Sequence, residues 1–214
     1  MRIITENWYI QTISDSNQQK RKNMNIIKFM KPEKIIKICK AITKTLSVLD
    51  SEKKSPTVRS GTYLIFPHKR DAEKRISEQE FRVLFIQELE KQKIFYSIET
   101  PSEKVQGKEK RCGCIDLTIF DKKGQNYERA VNVEFKFGHN KNQIEKDLKK
   151  LTRENRSGAF IMVLEKATDR TWKSIDSKIR SHFDKYKNIL IIACAIESNE
   201  VRAIPPTVIP ANKI

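Results

Sequence analysis

Hydrophobic residues recur along this chain with a period that switches between that of a helix and that of a strand, and the switches mark its elements. Ile35, Ile38, Cys39, Ile42, Leu46 and Leu49 fall at helical spacing behind Pro32, a residue suited to a first turn, so residues 32–49 read as an amphipathic helix. A second helical stripe, Phe81, Leu84, Phe85 and Leu89, follows Ser77, a good N-cap with Glu80 at capping-box distance. Residues 94–100 then read as a strand ended by Pro101, and 102–111 as a charged loop. Two stretches rich in β-branched and aromatic residues come next, 112–120 and 130–138, with a turn around Gly124 between them. Residues 140–154 return to helical spacing through Ile144, Leu148 and Leu151. The run 158–165 is apolar without alternation, the mark of a strand covered on both faces. A helix over 171–186 and a core strand over 189–197 complete the pattern.

The order α-β-β-β-α-β-α-β predicts an α/β fold, a mixed central sheet flanked by helices. Residues 1–61 read as a basic N-terminal helical extension with a linker at 50–61, residues 62–200 as the α/β core and residues 201–214 as a proline-containing tail. The helix of the extension reads as packed on the domain with a solvated lysine face, ahead of a DNA-facing or partner-facing one. Within the core, 62–66 is a short apolar stretch with edge-strand character, and His68-Lys69-Arg70 is a basic segment ahead of the Ser77 helix.

Charge narrows the partners. The chain has 214 residues, 43 Lys and Arg against 27 Asp and Glu, and a net charge of +16. Half of that excess lies in residues 1–60, where 13 basic residues, including the Gln18–Lys22 patch, face five acidic ones. Such a balance favours a polyanion, most often nucleic acid, although lysine also accumulates as solvated surface. The longest apolar run, Ile189 to Ile196, is too short for a bilayer, and no signal-peptide pattern opens the chain, so a cytoplasmic protein with no membrane partner is expected. Cys39, Cys112, Cys114 and Cys194 lack the paired spacing of a zinc site, and His68, His139 and His182 are too scattered to suggest a catalytic triad.

The candidate chemistry sits in the two central strands. Alternation puts Val131, Val133, Phe135 and Phe137 on one face of the second strand and Asn132, Glu134 and Lys136 on the other. In the first strand Ile115, Leu117 and Ile119 point one way and Asp116 the other. A hairpin centred near Gln125 makes Asp116 and Glu134 cross-strand neighbours, with Cβ atoms about 5 Å apart. Two carboxylates so placed repel unless a cation lies between them, and a divalent metal takes such oxygens. The plainer account, two polar residues on a solvated face with Lys136 as ion-pair partner, stands beside this one.

An acid on one strand followed by Glu-x-Lys on the next, here Asp116 and Glu134-Phe135-Lys136, resembles the PD-(D/E)xK nuclease superfamily over about residues 77–197. The resemblance implies a restriction-endonuclease-like α-β-β-β-α-β core and Mg²⁺-dependent phosphodiester hydrolysis, with Mn²⁺ able to substitute. It implies metal ligation by Asp116, Glu134, the carbonyl of Phe135 and an acid on the preceding helix, Glu80 ahead of Glu78. Lys136 would stabilise charge or hold the attacking water, and Gln143, Lys146 and Lys150 on the next helix would face the substrate. DNA stands ahead of RNA as substrate, in a bacterial restriction or anti-phage role, with a homodimer or partner subunit supplying a second active site. The alternative is a nucleic-acid-binding subunit that keeps the fold without turnover.

Overall fold

A computed structural model of the chain describes residues 31–51, 77–106, 111–154, 156–180, 186 and 188–204. The Gln18–Lys22 patch, the 62–66 stretch, His68-Lys69-Arg70 and the tail from residue 205 lie outside the described residues. The elements are α1 (Pro32–Ser51), α2 (Glu78–Lys91), β1 (Phe95–Gln106), β2 (Arg111–Lys123), β3 (Asn126–Phe137), α3 (Lys141–Arg153), β4 (Gly158–Leu164), α4 (Asp169–Arg180), β5 (Ile189–Ala195) and β6 (Glu200–Ile204).

The strands form one mixed sheet in chain order, β1 to β6. β1, β2 and β3 make an antiparallel meander, β4 and β5 run parallel to β3, and β6 returns antiparallel to β5. The α3 and α4 crossovers step the same way across the sheet, and crossovers of one hand then share a face. Ile144, Leu148 and Leu151 of α3 and Trp172, Ile175 and Ile179 of α4 accordingly join one core with Phe160, Met162 and Ile191. The opposite core holds α1 and α2 against Val131, Val133, Phe135, Ile161 and Ile192. Every residue of β4 is buried, which explains its unbroken apolar run. Among the described residues no helix is long and apolar enough to cross a membrane.

Several boundaries differ from those the sequence predicts, each for a physical reason. The helix of the expected extension packs on the domain, as favoured from its stripe, and is part of its core: Ile35, Ile38, Cys39, Ile42 and Leu46 of α1 are buried with Phe81 and Phe85. Its lysines Lys37, Lys40 and Lys44 stay exposed. Pro101 does not end β1, which runs on to Gln106. Among the described residues β1 pairs only with β2, and an edge strand tolerates a residue without an N–H. Residues 200–204, which cross the expected boundary between core and tail, form β6. α4 is described over Asp169–Arg180, residues 181–185 of the expected helix lie outside the described residues, and Tyr186 is buried.

Two features of the β2–β3 hairpin set the site's register. Gly124 takes φ +62°, the left-handed backbone wanted at the first position of a two-residue turn. The turn is therefore centred between Gly124 and Gln125. A bulge comes after it, because Ile119 pairs with Val131 but Phe120 with Arg129, leaving Ala130 as the extra residue. The bulge advances β3 by one position and brings Glu134 level with Asp116.

The far end of α3 is pinned to the edge strand. Glu154 is buried, and its carboxylate accepts hydrogen bonds from the Ser102 hydroxyl and, at 3.1 Å, from Glu103 N, with Arg129 Nη1 3.8 Å away. This anchor fixes where the middle of α3 meets β2 and β3.

Candidate active site

Sequence and capping chemistry decide which glutamate of α2 is available. Ser77 is the N-cap, and its hydroxyl accepts from Gln79 N at 3.2 Å. Glu80 turns back, accepting from Ser77 N at 2.7 Å and from the Ser77 hydroxyl, which completes a capping box. The resemblance points to Glu80 ahead of Glu78 for the metal site, but the structure commits the Glu80 carboxylate to the cap. Glu78 reaches across instead: its Oε2 accepts from Phe137 N at 3.3 Å and lies 3.9 Å from Lys136 Nζ.

Asp116 and Glu134 meet where the hairpin opens. The β2–β3 ladder closes on the pair Leu117–Val133, and beyond it the two carboxylates take up main-chain donors. Phe135 N donates to Asp116 Oδ2 at 2.9 Å, and Asp116 N donates to Glu134 Oε1 at 3.2 Å. Each acid thus satisfies a main-chain N–H of the other strand. The backbone is irregular on the other side too. In the β1–β2 ladder Ile98 pairs with Leu117 and Thr100 with Ile115, and Glu99 between them adopts φ +48°, a conformation costing an L-residue about 1–3 kcal/mol. Strict alternation fails at this point, since Leu117 and Ile119 pack on the α1–α2 side but Ile115 packs on the α3–α4 side.

Two lysines and a further acid complete the cluster. Lys150 Nζ on α3 is 2.6 Å from Glu134 Oε2 and donates to the Cys114 carbonyl at 2.7 Å. Lys136 Nζ lies 4.0 Å from Asp147 Oδ2, also on α3. Burial, then the Asp116 charge, push the Glu134 carboxyl up to about 8, against the opposing pull of Lys150. Burial raises Glu78 and Asp147 as well, and the Asp116 charge adds to both. Glu134, Glu78 and Asp147 are thus all raised beside Lys136 and Lys150, and a further positive charge at the cluster would favour their ionised forms.

Asp147 is the residue of the cluster that sequence reasoning misses. Its signal is present, because it stands four residues after Gln143 and three before Lys150, on the helix face expected to meet the substrate. Gln143 and Lys146 lie exposed on α3; the Gln143 backbone N–H donates to the Asn140 cap, and Lys146 adds a positive charge near Asp147. The Phe135 side chain is buried against Phe81 and Phe85, with the Phe85 centroid at 5.4 Å, which locks the strand between Glu134 and Lys136. Cys114 is exposed, and its main-chain carbonyl is what touches the cluster.

The ligand atoms on offer are carboxylate and carbonyl oxygens, the chemistry of a hard-cation site, with two ammonium groups beside them. Among the described residues no three Asp, Glu, His or Cys side chains converge as a ready metal cage, because Asp116 is turned onto Phe135 N and Lys150 covers one oxygen of Glu134. The residues fit a divalent ion in type and in charge, with Asp116, Glu134 and Glu78 as the acids to hold it. No protein-family model, no curated protein and no solved structure matches this chain.

Proposed function

We propose that this protein is a divalent-metal-dependent nuclease of the PD-(D/E)xK kind, hydrolysing phosphodiester bonds in nucleic acid. The observation that carries the reading is the Asp116–Glu134 pair, with Asp116 half-buried and Glu134 2% exposed, joined by Lys136 and Glu78 at one break in the hairpin. A polar face that served solubility alone would leave these acids in water, whereas burial without a cation costs energy. The element order α2-β1-β2-β3-α3-β4 is also the one the resemblance implies. The +16 charge supports a polyanionic substrate, and DNA in a restriction or anti-phage setting is favoured by analogy with the superfamily.

In this reading Asp116, Glu134 and Glu78 would hold Mg²⁺, and the Phe135 carbonyl would be a further oxygen ligand. The ion supplies Lewis-acid polarisation of the scissile phosphate and a lower pKa for water. Lys136 sits at ion-pair rather than hydrogen-bond distance from Glu78 and Asp147, so its ammonium can turn to a phosphate oxygen or hold the attacking water. Phe135 and its aromatic neighbours keep Glu134 and Lys136 on one rigid strand edge.

The test is incubation with duplex DNA, single-stranded DNA and RNA, with and without Mg²⁺ or Mn²⁺, beside Asp116→Ala. Metal-dependent cleavage that disappears in Asp116→Ala is the expected result. Cleavage that survives Asp116→Ala would remove the pair from the chemistry. The close Lys150–Glu134 contact favours a second reading, a nucleic-acid-binding subunit without turnover. Salt-sensitive binding with no cleavage under any metal would select it.

A further inference from the structure

The resemblance points Lys150 at the substrate, but the structure sets it against the acid pair, and the role inferred for it there rests on the nuclease reading. Its ammonium touches two oxygens from different strands, Glu134 Oε2 at 2.6 Å and the Cys114 carbonyl at 2.7 Å. A carboxylate and a main-chain carbonyl are also what a hard divalent cation takes. The contact is enclosed, with the Lys150 side chain 15% exposed and the Glu134 side chain 2% exposed. Lys136, by contrast, faces Glu78 and Asp147 at 3.9 and 4.0 Å. The two lysines thus serve different acids.

We propose that Lys150 is the resident counter-ion of this site: its ammonium holds Glu134 Oε2 and the Cys114 carbonyl in the metal-free protein and has to leave Glu134 when a divalent cation binds there. An ammonium carries three donors and no acceptor, so it competes with a metal for the same lone pairs rather than adding to its ligands. Asp147, three residues earlier on the same helix, offers a second carboxylate to the released ammonium. Lys150 is therefore a positioning residue that sets the threshold for metal entry.

The test is titration calorimetry of the full chain with Mn²⁺, at the same pH for the parent and every variant. Lys150→Gln should bind Mn²⁺ about ten-fold tighter than the parent, and its metal-free melting temperature should fall. Lys149→Gln removes the same charge from an exposed neighbour paired with Glu145, and should leave affinity nearly unchanged. Lys150→Arg keeps the charge with more donors and should bind Mn²⁺ more weakly than the parent, which decides the matter if Lys150→Gln does not fold. Equal or weaker binding by Lys150→Gln, tightening by Lys149→Gln of the same size, or no weakening by Lys150→Arg would each overturn the counter-ion role. If neither the parent nor any variant binds Mn²⁺, the metal-dependent reading falls and this inference with it.

Discussion

Glu134 concentrates the electrostatic cost of the site. Its carboxyl moves from 4.5 to about 8 on folding, through burial first and the Asp116 charge second. The folded protein therefore holds this proton more tightly than the unfolded chain. Stability from this group is fully present below the unfolded value and is lost as pH rises through about 8, with an upper bound of about 5 kcal/mol. Glu78 and Asp147 are raised too and act with the same sign. Thermal melts of the metal-free protein across this window should show the fall, and Glu134→Gln should flatten most of it. An equally steep fall in Glu134→Gln would locate the cost elsewhere. Lys136 acts at a different stage. Lys136→Ala should lower turnover by about 10²–10³-fold while affinity for metal and nucleic acid stays close to that of the parent, because its ion pairs in the free protein are long. Near-normal single-turnover rates would take Lys136 out of the chemistry.

At the scale of elements, the start of α2 decides which acid serves the site. Ser77 and Glu80 close the cap on each other, and that closure leaves Glu78 pointing at β3. Glu80→Gln keeps a capping-box side chain, so it should retain cleavage, whereas Glu78→Gln should lose it. Ser77→Ala should cost about 1 kcal/mol of stability in a denaturant melt and should lower activity by loosening the turn that carries Glu78. If Glu80→Gln is as inactive as Glu78→Gln, the cap is not the whole role of Glu80.

For the whole molecule, α1 changes where the core begins. Its stripe is buried against α2 and the sheet, so a chain starting at residue 62 would expose that face. Such a truncation should be insoluble or lack a cooperative melt, and Ile38→Ala in the full chain should cost about 2–5 kcal/mol. A soluble truncation with a sharp transition would return α1 to the status of an extension. The basic charge is tested separately by replacing Lys37, Lys40 and Lys44, exposed on α1, with Gln. Every lysine among them that grips a phosphate should, once replaced, reduce the log–log salt slope of duplex DNA binding by about 0.9. An unchanged slope would make these lysines bystanders.

Much of this architecture is legible in the chain because strand and helix periods are local. Alternation alone places Glu134 with Lys136 on one face of β3, and helical spacing alone gives the buried stripes of α1, α2 and α3. Periodicity records which face a residue occupies, however, and not what stands opposite. Only the tertiary structure decided that the Ala130 bulge corrects the hairpin register, that Glu80 is spent on the cap while Glu78 crosses to β3, and that α3 is set down with Lys150 and Asp147 against the acid pair. Residues 200–204 are similar, since a short strand exists through its partner β5 rather than through its own pattern. The stripe of α1 named the buried residues but not the core that buries them. Burial is a property of the assembled layers, and sequence supplies only the surfaces available to them.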